Sequence, residues 1–166
     1  MKKEIILKPL TITADLNGIS LKAITEHFKL YEGYVKKTNE IRSKLETADK
    51  SLANSAYSEI GELKRQESFS LDGVKLHEVY FGILGGDGKV EGRVAEMIIR
   101  DFGSIENWIA DMIASGLSAR GWVITSYDFA EKIIKNYSAD AHNVGIIAGT
   151  VPLIALDVYE LSLIHI

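Results

Sequence analysis

The sequence predicts an α+β fold, with helices first and a small antiparallel sheet after them. Three observations predict it. Between residues 20 and 66, apolar side chains recur at spacings of three and four with lysines and glutamates between them. That is the pattern of helices with one buried face. After Gly116 the texture changes to runs of β-branched and aromatic residues, which suit strands. The helical block precedes the strand block instead of alternating with it, which separates this class from a doubly wound parallel sheet.

Residues 1–17 mix β-branched residues with Pro9, Asp15 and Asn17 and read as an extended arm. A first helix is expected over 20–45, its apolar face built from Leu21, Ile24, Phe28, Tyr31, Val35 and Ile41. A shorter helix over 48–66, with Leu52, Tyr57, Ile60 and Leu63, folds back on it as a hairpin. A boundary is expected near 66–72. It divides the chain into an N-terminal arm and helical hairpin (1–70) and a C-terminal α+β domain (71–166), incomplete at its end. Residues 71–84 are strongly apolar and read as a buried helix. The loop at 85–92 contains four glycines in eight residues, a strong break signal. Two helices follow near 91–101 and 104–115, the second with Ser104 as N-cap. Strands are expected at 121–127 and 131–138, separated by a turn at Asp128 and Phe129. The continuous apolar run 151–159 suits a buried central strand, completing a three-stranded antiparallel sheet.

Composition removes several function classes. The 166 residues carry 19 Lys+Arg against 23 Asp+Glu, a net charge of -4, which argues against a nucleic-acid partner and its concentrated basic patch. Cysteine is absent, so disulfides, zinc–thiolate sites, iron–sulfur clusters and thiol nucleophiles are excluded. No apolar run reaches the length of a membrane-spanning helix, and the N-terminal segment lacks a signal peptide's apolar core. The expected location is cytoplasmic, with no membrane partner. A zinc hydrolase finds no support, because no HExxH or comparable paired-ligand motif is present.

Four histidines exist: His27, His77, His142 and His165. A lone histidine on a helix is ordinarily a solvated or core-edge residue. His77 is less ordinary, because Leu76, Val79, Tyr80 and Phe81 surround it in sequence and a buried imidazole must satisfy two nitrogens. A metal takes one nitrogen and a second acceptor takes the other. Asp157 lies inside an apolar run, where an ionised carboxylate is costly unless paired, hydrogen-bonded or metal-bound. Its alternative reading is a cap on backbone N–H groups at a strand end. Histidine and carboxylate without thiolate suit iron or manganese, and less exclusively zinc.

The segment His77-Glu-Val-Tyr-Phe-Gly-Ile-Leu, the Gly121-Trp122 strand, and Asp157-Val-Tyr-Glu160 preceded by Pro152-Leu-Ile together resemble the iron/manganese superoxide dismutases. Tyr34-Val35 with Asn39 resembles that family's first helix, where a tyrosine gates the active site. The resemblance covers about residues 8–160. It implies one iron or manganese ion per chain, bound by His27, His77 and Asp157. Trp122 and Tyr159 fall on aromatic positions that wall the site. His142 falls where the family places a glutamine or histidine bonded to metal-bound solvent, and Tyr34 and His142 would supply protons. Gly73 stands where many iron enzymes place a glutamine for the solvent contact, which makes His142 the expected solvent partner. Glu160 falls on the family's dimer interface, implying a homodimer or higher homo-oligomer.

Two positions depart from the family. Its first-helix histidine usually lies eight residues before the gating tyrosine; here that position is Glu26, and His27 is seven before Tyr34. Imidazole matches the family's ligand type, which favours His27, with Glu26 as the alternative oxygen ligand. The fourth ligand position is Leu161, and the following LSLIHI tail has no resemblance to the family's ending. It reads as a frameshifted or vector-derived tail, or the end of a truncated gene model. His165 lies eight residues beyond Asp157, where the family spacing is four. The implied activity is disproportionation of superoxide to oxygen and hydrogen peroxide, impaired in this literal chain. The alternative is a catalytically dead relative acting as a metal-poor structural or interaction protein.

Overall fold

The computed structural model describes residues 4–159. Helix α1 (Leu21–Thr47) starts where Ser20 Oγ accepts from Ala23 N–H at 3.2 Å and Asp15 Oδ1 accepts from Leu21 N–H at 2.7 Å. These bonds satisfy two of the amides that a helix start leaves without partners. Its buried face runs through Ala23, Ile24, His27, Tyr31, Val35, Thr38, Ile41 and Leu45, a helical stripe. A 3₁₀ turn at Lys50–Leu52 leads to helix α2 (Glu59–Ile83), capped by Ser58, whose Oγ accepts from Gly61 N–H. Glu59 and Glu62 in its first turn complement the helix dipole.

Here the structure corrects the sequence reading. The helix expected over 48–66 and the one over 71–84 are a single helix, starting later and running unbroken through 66–72, where the boundary was expected. Gly61, Ser68, Ser70 and Gly73 weaken helix propensity along this stretch. Packing against α1 compensates. Tyr31, Val35 and Val74 form a buried cluster between the two helices, with Phe28, Tyr34 and Phe81 packed on it. The N-terminal arm is strapped to the hairpin: the Asn39 side-chain amide bonds both N–H and C=O of Ile5 at 3.0 Å, and Tyr31 Oη accepts from Lys8 N–H at 3.1 Å.

Helix α3 (Gly92–Phe102) ends at Gly103 in the left-handed region, and helix α4 (Ile105–Ser118) begins at Ser104, whose Oγ accepts from Asn107 N–H. Three antiparallel strands follow: β1 (Trp122–Asp128), β2 (Ile133–Ala139) and β3 (Thr150–Asp157), in the order β2-β1-β3. The second correction lies in this order. The run 151–159 was expected to be central, but β3 is an edge strand, half-buried along much of its length, and the largely buried centre is β1. A β-bulge between Thr125 and Ser126 shifts the β1–β3 register. The turn between β1 and β2 occupies 129–132 and not Asp128, which still belongs to β1. Helix α4 packs on β1 and β2, and α2 packs on β3. The main core joins them: Leu76 of α2 meets Trp122, Ile124, Ala139 and Ala155 of the sheet. In the antiparallel register Trp122 pairs with Asp157, and directly paired residues point to the same face. Pairing therefore sets Asp157 beside Trp122.

Candidate metal centre

His27 belongs to the buried stripe of α1. Ile24, His27 and Tyr31 follow the three–four spacing that keeps one helix face inward. Glu26, one residue away, is rotated about 100° and bonds Lys29 Nζ at 2.7 Å with 41% of its side chain exposed. The helix carries no bulge across this stretch. His77 comes from the middle of α2 and Asp157 from the end of β3. His27 Nε2 lies 2.9 Å from Asp157 Oδ2, and His77 Nε2 lies 4.0 Å from the same oxygen. The two Asp157 oxygens face different partners: Oδ2 faces the histidines, and Oδ1 accepts from Tyr159 N–H at 3.0 Å, a cap on a backbone amide.

The histidine tautomers follow from their partners. His77 Nδ1 donates to the Gly73 carbonyl at 2.7 Å, because a carbonyl can only accept. Nε2 is therefore a bare lone pair. It is also the one buried side-chain nitrogen or oxygen, among the described residues, that has no hydrogen-bond partner. Burial pushes His77 well below the usual histidine range, with the neighbouring His27 acting the same way, so the ring is neutral. Trp122 Nε1–H donates to His142 Nδ1 at 2.8 Å. An indole nitrogen only donates, so a neutral His142 carries its proton on Nε2. Burial pushes His142 down to about 4, which keeps it neutral at pH 7.

Aromatic rings close the site. Trp122 and Tyr34 lie 5.1 and 5.4 Å from the His77 ring, Tyr80 lies 4.8 Å from His27, and Tyr159 and Phe69 lie 5.4 and 4.5 Å from His142. Burial, aided by Tyr159 and the Asp157 carboxylate, pushes the Tyr34 phenol up to about 12, so Tyr34 keeps its proton. Gly73 is part of this packing. A Cβ there would stand 3.1 Å from both His142 Cδ2 and Tyr34 Cγ.

The donor set fits a metal ion. Two ligands bonded at about 2.0–2.2 Å sit at most about 4.4 Å apart. The two pairs involving Asp157 Oδ2, at 2.9 and 4.0 Å, fall inside that limit, and all three candidate donor atoms lie within 4.8 Å of one another. Two imidazoles and one carboxylate, without sulfur, match iron or manganese. An orphaned, buried imidazole lone pair aimed at a carboxylate is what such an ion would satisfy.

The sequence-predicted residues His27, His77, Asp157, Tyr34, His142, Trp122 and Tyr159 are thus brought into one cluster. Glu160, Leu161 and His165, and the readings attached to them, lie outside the described residues. Three participants escaped the sequence reading: Phe69, Tyr80, and Gly73 as the acceptor for His77. The last had a signal, since a helical histidine can bond the carbonyl four residues earlier.

Residues 90–164 match the family described as iron/manganese superoxide dismutases, C-terminal domain. The chain is 42% identical over 153 residues to a protein of Aquifex aeolicus named superoxide dismutase [Fe], covering 88% of this chain and 71% of that one. It is 37% identical over 163 residues to a superoxide dismutase [Fe] of Cupriavidus metallidurans, covering 94% and 80%. A superoxide dismutase [Mn] 1 of Halobacterium salinarum is 33% identical over 152 residues, covering 87% and 72%.

Proposed function

The chain belongs to the iron/manganese superoxide dismutase family, and on that premise we propose that it disproportionates superoxide at one mononuclear site. Two superoxide ions and two protons would give one oxygen and one hydrogen peroxide. The observation that carries the reading is the unpartnered Nε2 of buried His77, facing Asp157 and His27.

His27, His77 and Asp157 would hold the ion. An iron or manganese ion bound there would supply a one-electron redox couple. The chain supplies the rest. Gly73 fixes the tautomer of His77 and frees its Nε2. The Asp157 carboxylate is oriented by Tyr159 N–H through its other oxygen. His142, held by Trp122 with its proton on Nε2, is a hydrogen-bond donor next to Tyr34. Tyr34 keeps its proton at neutral pH and sits edge-on to His142, with ring centroids 4.6 Å apart. Peroxide formation consumes two protons, and these two groups would relay them. The surrounding rings exclude bulk water, which strengthens the local electrostatics. Homodimerisation through the Glu160 region is part of the same proposal.

A second reading keeps one observation in its favour. Leu161 occupies the position that the family resemblance assigns to a fourth ligand. On that reading the chain is a metal-poor structural relative. The deciding experiment loads the protein with iron or manganese and measures metal per chain and superoxide removal, with His77→Ala as comparison. The proposal expects about one ion per chain, lost in the variant together with activity. Stoichiometric metal without superoxide removal, or no metal at all, refutes it.

A further inference from the structure

Beside Tyr31 lies a cleft of about 320 Å³ lined by the N-terminal arm and the two long helices. That volume is in the range of small-molecule sites. Phe28 and Phe81 form one wall with ring centroids 5.2 Å apart at 68°, and Leu10 faces them from the arm. One end is polar. Glu78 Oε1 accepts from the Tyr31 hydroxyl at 3.0 Å, and Glu78 Oε2 bonds Lys8 Nζ. The Lys8 side chain is 67% exposed and that of Glu78 is 21% exposed. An exposed lysine contributes little through such a pair, so its ammonium can turn to another anion without much loss. The carboxylate keeps free lone pairs, since each oxygen accepts more than one bond. The cleft thus offers an aromatic slot ending in one anion and one cation side by side.

We propose that this cleft binds a small zwitterion with an aromatic ring, of the aromatic amino-acid class. The ring lies against Phe28 and Phe81, the ammonium meets Glu78, and the carboxylate meets Lys8. Edge-to-face contact with the two phenylalanines favours a planar ring. The paired charges favour a ligand carrying both signs over one carrying either alone. Tyr31 and Phe81 also border the metal centre, with centroids 6.5 Å from His77 and 5.4 Å from His27, so the two sites share walls. Binding at the cleft requires no metal, and its test is independent of dismutase activity.

The test is calorimetric titration of the full chain with phenylalanine, phenethylamine and 3-phenylpropanoate. Phenylalanine is expected to bind with a dissociation constant on the order of 1 mM, set by its small size. The two single-charge analogues should each bind about five- to tenfold more weakly, the scale of one partly exposed ionic contact. Glu78→Gln should weaken phenylalanine and phenethylamine and should not weaken 3-phenylpropanoate. Gly82 lines the cleft on α2, and a Cβ there meets nothing within 4 Å. Gly82→Leu therefore adds bulk at the exposed edge of the cleft without a clash, improves helix propensity, and should weaken binding of all three in a folded protein. Absence of saturable binding to the unmodified chain, equal affinity for the three probes, or binding undiminished in Gly82→Leu overturns the proposal.

Discussion

Gly73 contributes to the metal centre twice, once through its carbonyl on His77 and once through the side chain it lacks. In an ordinary helix interior, replacing glycine by alanine gains up to about 1 kcal/mol. Here the added methyl would stand 3.1 Å from ring atoms of His142 and Tyr34, both held in a packed cluster, and overpacking of that kind costs about 1–3 kcal/mol. The two terms oppose each other, and the clash is the larger. Gly73→Ala should therefore lower stability by up to about 2 kcal/mol, whereas Gly33→Ala on α1, where a Cβ meets nothing within 4 Å, should raise it. Thermal unfolding of both variants checks this, and a gain at 73 equal to that at 33 would show that the rings yield freely. Several such details could be read from residue identity alone. Asp157 in an apolar run and His77 in an apolar helix stood out because buried charge and unsatisfied imidazole nitrogens are costly. The choice between Glu26 and His27 was also legible in helix phase, since 24, 27 and 31 share a face. The crowding at Gly73 was not, because it depends on a loop residue nearly seventy positions later.

Between elements, the join of α3 to β2 runs through one carboxylate. Asp101 accepts from the Arg100 guanidinium at 2.6 and 2.7 Å and from Ile134 N–H at 2.7 Å. The Arg100 bonds chiefly, then the Ile134 amide, hold it below the usual carboxylate range. A carboxyl depressed on folding adds stability above its unfolded value, near 3.9, and that stability is lost as pH falls through the folded value. Asp101→Ala should cost about 1–3 kcal/mol at pH 7, because it strands the Ile134 amide, and the gap from the unmodified chain should narrow below about pH 4. Denaturant unfolding at pH 7 and pH 3 measures it, and a gap independent of pH would remove the charge from the account. At this scale the sequence was a weaker guide. Periodicity reported helix faces and strand texture, so the element types were recoverable. It could not tell that α2 continues through its glycines and serines, because tertiary packing on α1 decides that. Nor could it place β3 at the edge, since an apolar run states how much a strand buries and not how many neighbours it pairs with.

For the molecule as a whole, the proposed metal centre would be a clamp. His27, His77 and Asp157 come from the first helix, the second helix and the last strand. An ion that binds only the folded state stabilises it by RT ln(1 + [L]/Kd), about 4 kcal/mol at a thousandfold excess over Kd. Adding iron(II) or manganese(II) to chelator-treated protein should therefore raise the unfolding temperature by several degrees. His77→Ala should abolish the rise. An unfolding temperature indifferent to both metals would mean that the three donors do not act together.

The span of that clamp also dictates when the protein can first hold its ion. His27 and Asp157 are 130 residues apart, and a ribosome adds roughly 5–20 residues per second. For several seconds of synthesis the two histidines exist without the aspartate. The helical hairpin, rich in local contacts, can form in that interval. On the proposed ligand set the third donor would arrive only when β3 pairs with β1, so metal capture would wait for that pairing. On that reading, a growing chain would offer the cell's metal supply no complete site until β3 has docked.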